Sequence, residues 1–275
     1  MKTIFSLLMM ALSLFSCSSE DNSAILNSNL LQRVDFYPNS PNEKRWLFNS
    51  DGLLYQITKA DGTIVQDFTY NSNNLLISST EYNNSGNITH AFTYNNNGFV
   101  TSVDGETVNY DAGINAFYTG VLNDYYRLSK INSDKLLVEG KTVFIDIDET
   151  GTNQVLLDEM SVSYSDNNIL SYFPGESCVY YTYDSNSNPL RNATLSICRA
   201  YSFIVNSRWI DGQFNSINNP ISQNYCSEDP ESEVYHYNYN VSNLPIEQTH
   251  DYYYLGTLEN TIVSAKYYYQ GDVLP

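Results

Sequence analysis

Trp46-Leu47-Phe48-Asn49-Ser50-Asp51-Gly52-Leu53-Leu54, Phe68-Thr69-Tyr70-Asn71-Ser72-Asn73-Asn74-Leu75-Leu76 and Phe92-Thr93-Tyr94-Asn95-Asn96-Asn97-Gly98-Phe99-Val100 are three copies of one pattern, spaced 22 and then 24 residues apart. Each reads aromatic-x-aromatic, Asn, two polar residues, Gly or Asn, then an apolar pair. Gly and Asn reach positive φ at little cost, so a fixed Gly/Asn position between apolar runs marks a strand, a tight turn and a returning strand. The flanking alternation agrees. Ile64, Gln66, Phe68 and Tyr70 share one strand face, and Ile88, His90, Phe92 and Tyr94 take the same phase one period later. A helix would scatter those residues around its axis. One period holds one hairpin.

Looser copies run from Val162 to Ile169, from Tyr181 to Leu190 and from Tyr237 to Pro245, so the unit recurs along most of the chain. With Tyr183-Asp184 at its turn, the pattern resembles the YD or RHS-type repeat proteins. It is more similar to short Gram-negative lipoproteins built from such units, in which a Tyr-Asp turn runs into Asn188-Pro189-Leu190-Arg191-Asn192 and later into Asn218-Asn219-Pro220. The likeness covers roughly residues 32 to 110 and 155 to 270, with Asn in most copies where that family has Asp. It implies an antiparallel repeat sheet and no particular activity.

The fold class expected is all-β: an antiparallel meander of repeated hairpins over residues 31–275, forming a long, twisted, partly single-layer sheet. A closed or partly closed β-barrel is the alternative. Composition favours the single layer, because sandwich cores are rich in Val, Ile and Leu and this chain carries 25 Tyr against 12 Phe. A tyrosine ring covers a sheet face while its hydroxyl stays wet. The repeat lapses near residues 111–137, where the spacing of Val121, Leu122, Tyr125 and Leu128 fits a short amphipathic helix or a long loop. It lapses again near 199–232, an irregular stretch holding Trp209, Asp211-Gly212 and the acidic Glu228-Asp229-Pro230-Glu231. Long irregular loops on a rigid sheet are where function usually lives.

The first residues read as an address. Met1-Lys2-Thr3 precedes an apolar run from Ile4 to Phe15 that is too short to span a bilayer, which predicts an export signal over residues 1–16. Leu14-Phe15-Ser16-Cys17 resembles a bacterial lipobox, with Phe15 bulkier than usual. The resemblance implies cleavage before Cys17 and acylation on it. Residues 17–30, small, polar and acidic at their start, are then a flexible tether. The expected partner is the membrane through this anchor, and the expected location the outer membrane, facing the cell surface, with the periplasmic face as the alternative.

The net charge of −18, with only thirteen scattered Lys and Arg, argues against nucleic acid as a partner. No nucleophile elbow, P-loop, dinucleotide fingerprint or zincin motif is present. The three histidines, His90, His236 and His250, are dispersed. Asp146 and Asp148 share a strand face about 7 Å apart, a spacing that could suit a glycosidase-like pair but that a solvated outer strand face, the far commoner case, explains better. Asp184-Ser185-Asn186-Ser187-Asn188 begins like a calcium loop but meets Pro189 where a glycine is needed, and reads better as a tight hairpin turn. The sequence therefore predicts no enzyme, no cofactor and no metal site, but a binding scaffold whose partner is a glycan or an envelope protein. Trp209 is the first ligand-binding candidate, because exposed aromatics stack on sugars and anchor partners.

Three cysteines remain for the folded part, in a compartment that permits disulfides. A hairpin with its apex near residue 188 sets Cys198 opposite Cys178 and predicts that pair. Cys198 with Cys226 is the next arrangement.

Overall fold

The computed structural model describes residues 29–275, apart from 121–124, 149–150, 175–177, 205–208, 210 and 227–230. Cys17, the expected signal over 1–16 and nearly all of the expected tether lie outside the described residues, as do Val121, Leu122 and residues 228–230. The side chains of Asp146 and Asp148 do so too. Leu30, placed at the end of the expected tether, is half-buried and its carbonyl accepts the Gln270 amide, so this residue belongs to the folded part.

Among the described residues nineteen strands run in chain order around one sheet. The first seven are β1 (Leu31–Phe36), β2 (Lys44–Phe48), β3 (Leu54–Lys59), β4 (Ile64–Tyr70), β5 (Leu76–Glu81), β6 (Ile88–Tyr94) and β7 (Val100–Val103). Then come β8 (Glu106–Thr107), β9 (Asn109–Asp111), β10 (Ala116–Gly120), β11 (Tyr125–Ile131), β12 (Leu137–Asp148), β13 (Gly151–Ser165) and β14 (Asn168–Pro174). After β15 (Val179–Ser187) the chain forms helices α1 (Pro189–Tyr201) and α2 (Gly212–Asn215). It ends on β16 (Asn218–Tyr225), β17 (Glu231–Tyr239), β18 (Pro245–Tyr254) and β19 (Thr257–Tyr269).

Each strand pairs antiparallel with the next, and β1 lies between β2 and β19, so the meander nearly closes into a barrel. The unsealed seam falls between β8 and β9, which share no ladder among the described residues. Its position follows from parity. A ring of antiparallel strands needs an even number, and β8 and β9 are two halves of one segment running the same way through Val108. The first half bonds to β7 and the second to β10. The meander expected from the sequence is thus present, in its nearly closed form.

Five turns follow one design. Asn49, Asn71, Asn95, Asn132 and Asn240 each accept two backbone amides on Oδ1, from the residues two and four places on. The residue three places on sits at positive φ: Gly52 75°, Asn74 60°, Gly98 70°, Lys135 64° and Asn243 57°. A short polar side chain that mimics a backbone turn is what selects Asn at the first position.

A second recurring bond joins neighbouring repeats. Tyr70, Tyr94, Tyr164, Tyr183 and Tyr269 donate their hydroxyls to the carbonyls of Leu54, Leu76, Leu137, Ile169 and Pro245, at 2.5, 2.6, 3.0, 2.7 and 2.9 Å. In each case the acceptor is the first or second residue of the returning strand of the repeat before. These phenols are therefore not the wet tips expected of a single layer. They are half-buried or buried, and burial pushes each well above its ordinary pKa.

Two expectations about irregular segments are corrected. Residues 111–137 hold no helix among the described residues but the strands β10 and β11 and a further Asn turn at 132. Residues 199–232 carry the end of α1, α2, β16 and the start of β17. Nor is there a tight turn at Asp184–Asn188, because β15 runs on to Ser187 and α1 begins at Pro189. Asn188 caps that helix, accepting the Leu190 amide at 3.0 Å, with proline at the first helical position.

The β15–β16 hairpin thus opens at its apex into a plug, residues 188–217, which turns back inside the sheet. Asn188 stitches it shut: its backbone amide reaches the Ile217 carbonyl at 2.8 Å and its side-chain amide the Gln213 carbonyl at 2.7 Å. Leu190, Ala193, Ile197, Cys198 and Tyr201 pack with Val34, Leu54, Phe68, Leu76, Phe92 and Ala265 from the surrounding strands in one core. The plug also satisfies the wall. Ser196, Ser202 and Ser216 accept the amides of Leu76, Leu137 and Ile169 at 2.8, 3.0 and 2.9 Å. These residues are the acceptors of the tyrosine bonds, so both of their main-chain groups are paired. At Pro245, the equivalent place in the last repeat, there is no N–H to satisfy.

The disulfide is Cys178–Cys226, with Cα atoms 5.2 Å apart, and Cys198 is a buried free thiol. The pairing of Cys178 with Cys198 expected from the sequence fails for a clear reason. Cys198 lies on the buried face of α1, whereas β16 is the strand that returns beside β15, placing the Cys226 amide on the Cys178 carbonyl at 3.0 Å. The bond clamps the base of the hairpin that carries the plug.

Candidate aromatic cleft at the barrel lip

Trp209 is 2% exposed and stands in the core rather than on an open loop. It packs against Trp46, Phe68, Tyr201 and Phe214, with ring centroids 5.4, 5.4, 6.3 and 5.6 Å away. Its role as a directly exposed ligand platform is thereby overturned. The cluster it anchors does reach the surface, however. Trp46 and Phe214 stack at 5.2 Å and 29°, with Phe36 a further 4.9 Å from Trp46.

Above these rings a cleft of about 630 Å³ opens between the β1–β2 loop, the ends of β2 and β3, and α2. Its walls include Tyr37, Lys44, Trp46, Lys59, Gln213 and Phe214. A recess of about 180 Å³ continues inward from Trp46 and Phe214 to Trp209. A size between 300 and 1,000 Å³, apolar walls and a few polar groups are the usual marks of a small-ligand site.

The sequence builds the lip from its alternation. Phe48, Trp46 and Lys44 share the inward phase of β2, and Ile57 and Lys59 share that of β3. Lys44 and Lys59 are directly opposite in the β2–β3 register, and Lys44 is opposite Phe36 in the β1–β2 register. Both lysines are exposed.

The loop between β1 and β2 is held tightly. Tyr37 has φ 52° and Asn39 62°. The first is an unusual conformation for a bulky residue and the second a tolerated one for Asn. Glu43, 9% exposed, accepts the Asn39 amide at 2.8 Å and the Arg45 guanidinium at 2.9 Å. The Asn39 amide, and after it Arg45, hold its carboxyl below the ordinary value against the opposing pull of burial. A second cleft of about 510 Å³ lies on the far side of the same loop, between Tyr37, Pro38, Ile262 and Val263.

Beneath α2 lies a polar network. Asp211 caps that helix, accepting the Gln213 amide at 2.7 Å, and takes a long bond of 3.4 Å from Tyr181. Burial pushes its carboxyl up to about 6. Gln213 reaches Tyr235 at 3.4 Å, and Tyr235 and Tyr225 both donate to Glu233. Because Glu233 already holds two phenols and faces His250 at 3.4 Å, its oxygens are engaged. The other two histidines each meet a carboxylate, His90 with Asp104 at 2.8 Å and His236 with Asp251 at 3.0 Å. The His236 and His250 pairs both bridge β17 and β18 but from opposite faces of the sheet, and the His90 pair lies on β6, so the three do not converge.

The half-match to a calcium loop resolves as structure. Asp184 accepts the Asn186 amide at 2.9 Å and the Asn219 amide at 3.3 Å, and Tyr239 donates to its other oxygen. Among the described residues no group of three or more His, Cys, Asp or Glu is placed to hold a metal.

The sequence did not point to Phe214, Lys44 or Lys59, and Trp46 read as strand packing. The available signal was the break in β2, where the inward series of Phe48 and Trp46 ends on a lysine.

No family model matches the chain, and no curated protein does. Among solved structures, a porin-like protein from Bacteroides uniformis ATCC 8492 is similar at 13% identity and a TM-score of 0.37, over 87% of this chain and 98% of that one. A porin-like protein from Bacteroides vulgatus ATCC 8482 has 13% identity and a TM-score of 0.21, over 70% of this chain and 97% of that one. TcdB2-TccC3-TEV has 10% identity and a TM-score of 0.25, over 83% of this chain and 13% of that one. Likenesses of this size carry no argument about function, which rests on the cleft.

Proposed function

We propose that the protein is a non-catalytic cell-envelope scaffold, lipid-anchored at Cys17 and facing the cell surface, that binds carbohydrate in the aromatic cleft at the barrel lip. The observation that carries the reading is the half-buried Phe214 ring, backed by the buried Trp46, in the wall of an open cleft of about 630 Å³. Flat aromatic faces beside polar groups suit the alternating apolar and hydroxylated faces of sugars. The rigid wall of Asn turns and tyrosine bonds holds those rings in place without the ligand, which reduces the ordering cost of binding. Lipid attachment at Cys17 would place the cleft at the membrane surface, on a tether that decouples it from the bilayer.

The test is a glycan panel probed with the purified domain, followed by titration of any hit. Phe214→Ala should reduce binding at least tenfold while the far-ultraviolet circular dichroism is unchanged. Absence of binding across neutral and charged panels removes the carbohydrate reading.

A further inference from the structure

We infer that the ligand of this cleft is an anionic sugar, one whose ring carries a carboxylate, as in a uronate-containing oligosaccharide. The inference rests on the carbohydrate reading above and adds to it the charge of the ligand.

Two like charges directly opposite each other in an antiparallel ladder destabilise the pair. Lys44 and Lys59 occupy such a position at the lip. The chain carries −18 overall with only thirteen Lys and Arg, and acidic residues abound that could have neutralised them. Among the described residues neither lysine has an ion-pair partner, whereas Lys130, Lys141 and Lys266 have one and Lys135 is held instead by the Asn97 carbonyl and the Phe99 ring.

The nearby acids are engaged elsewhere. Glu43 is taken by Arg45 and the Asn39 amide. Asp61, in the β3–β4 turn, accepts the Thr63 amide at 2.9 Å, and Lys59 adds only a lesser electrostatic pull on it. The lip is therefore a local positive site on an acidic molecule. Both lysines line the cleft beside the half-buried Phe214 and share the strand face of the buried Trp46, so an anion bridging them sits at the mouth of the cleft next to Phe214. A carboxylate attached to a stacked sugar ring meets both requirements at once, and charge-assisted bonds from two ammonium groups favour it over a neutral sugar. Solvent exposure makes the attraction sensitive to salt.

The experiment uses the whole domain from residue 29 and isothermal titration with matched pairs: oligogalacturonate against its methyl ester, and oligoalginate against neutral cello-oligosaccharide. The expected result is binding of the acids at least tenfold tighter than of their neutral partners, weakening when sodium chloride rises from 50 to 500 mM. Lys44→Gln/Lys59→Gln should lose that preference, so that acid and ester bind within about twofold of each other. The same variant should unfold at higher denaturant than the parent, since it removes the cross-strand repulsion, so loss of binding would not reflect loss of fold. Equal binding of acid and ester, or a preference that survives the double substitution, overturns the anionic assignment and leaves the carbohydrate reading standing. A sulfated sugar that competes equally with the uronates overturns the carboxylate but keeps the charge. No binding to any sugar removes both readings.

Discussion

Residues 49–53 and residues 184–217 stand at the same place in the repeat, the apex of a hairpin, and they use it in opposite ways. The first is a five-residue turn closed by one side chain, Asn49, with Gly52 at positive φ. The second expands into a plug of two helices that folds back through the barrel and supplies Ile197, Tyr201 and Trp209 to its core. Yet the inter-repeat bond survives the insertion, with Tyr183 on the Ile169 carbonyl at 2.7 Å as in the short-turn repeats. The wall is thus a repeating device that tolerates enlargement at an apex, and the interior is made by one enlargement. Binding surface follows the same division: wall residues Lys44, Lys59 and Trp46 meet the plug residue Phe214 at the cleft.

If the plug is the core of this barrel, its removal should cost more than any change in the wall. Trp209→Ala is expected to destabilise by about 3–5 kcal/mol, as for other large buried aromatics, measured by urea or guanidinium unfolding. A loss below about 1 kcal/mol would mean that the walls stand without the plug.

The clamp at the base of the same hairpin comes next. Cys178 and Cys226 are 48 residues apart, and the chain-entropy relation gives about 4 kcal/mol for a loop of that length. Cys178→Ser should show a loss of that order, and non-reducing peptide mapping should recover the 178–226 peptide with Cys198 unpaired.

Acidity separates plug from wall a third way. The Asp211 carboxyl, ordinarily near 3.8, is pushed up to about 6 by burial. The folded protein therefore holds a proton that the unfolded chain releases between those values. Its stabilising contribution is full below about pH 4 and is lost as pH rises through 6. Asp211→Asn keeps a good cap for α2 and removes the titration. The variant should gain at most about 3 kcal/mol at pH 7 and nothing at pH 4, read from denaturant melts at both. An equal gain at both values would place the effect outside this carboxyl.

The smallest effect tests whether wall and plug bonds are equivalent. Tyr94→Phe removes a donor to the Leu76 carbonyl, and Ser196→Ala the acceptor of the Leu76 amide. Each is expected to cost about 1 kcal/mol or slightly more, the price of leaving one buried main-chain group unpaired. Unfolding midpoints of the two single variants and the double would show whether they add.

The wall was legible because its signal is local. The Gly and Asn positions at 52, 74, 98 and 243 are the residues that adopt positive φ. The Asn132 turn was missed because Ile131 replaces the aromatic and Lys135 takes the position where Gly or Asn stands elsewhere. The plug was written in the sequence as well, with Asn188-Pro189 as a helix start and Leu190, Ala193, Ile197 and Tyr201 at helical spacing. It was hidden by its likeness to a turn, since Tyr183-Asp184 continues the repeat up to the point of insertion. The cleft was not legible at all. Trp46 and Phe214 are separated by most of the chain, and only closure of the sheet around the plug sets their rings 5.2 Å apart.

That closure also sets a timetable. β1 is bonded to β2, its neighbour in sequence, and to β19, whose Tyr267 lies opposite Val34. Contacts between such distant parts of a chain form slowly, since a long loop must close before any bond rewards it. The first strand made therefore waits for the last, with one edge bare throughout synthesis. An unpaired edge is a template for other strands, and the interval before closure is when the chain is most prone to self-association. The strand that ends the wait borders the cleft: β19, by docking on β1, sets Ala265 opposite Phe36 and turns an open sheet into a vessel with an inside.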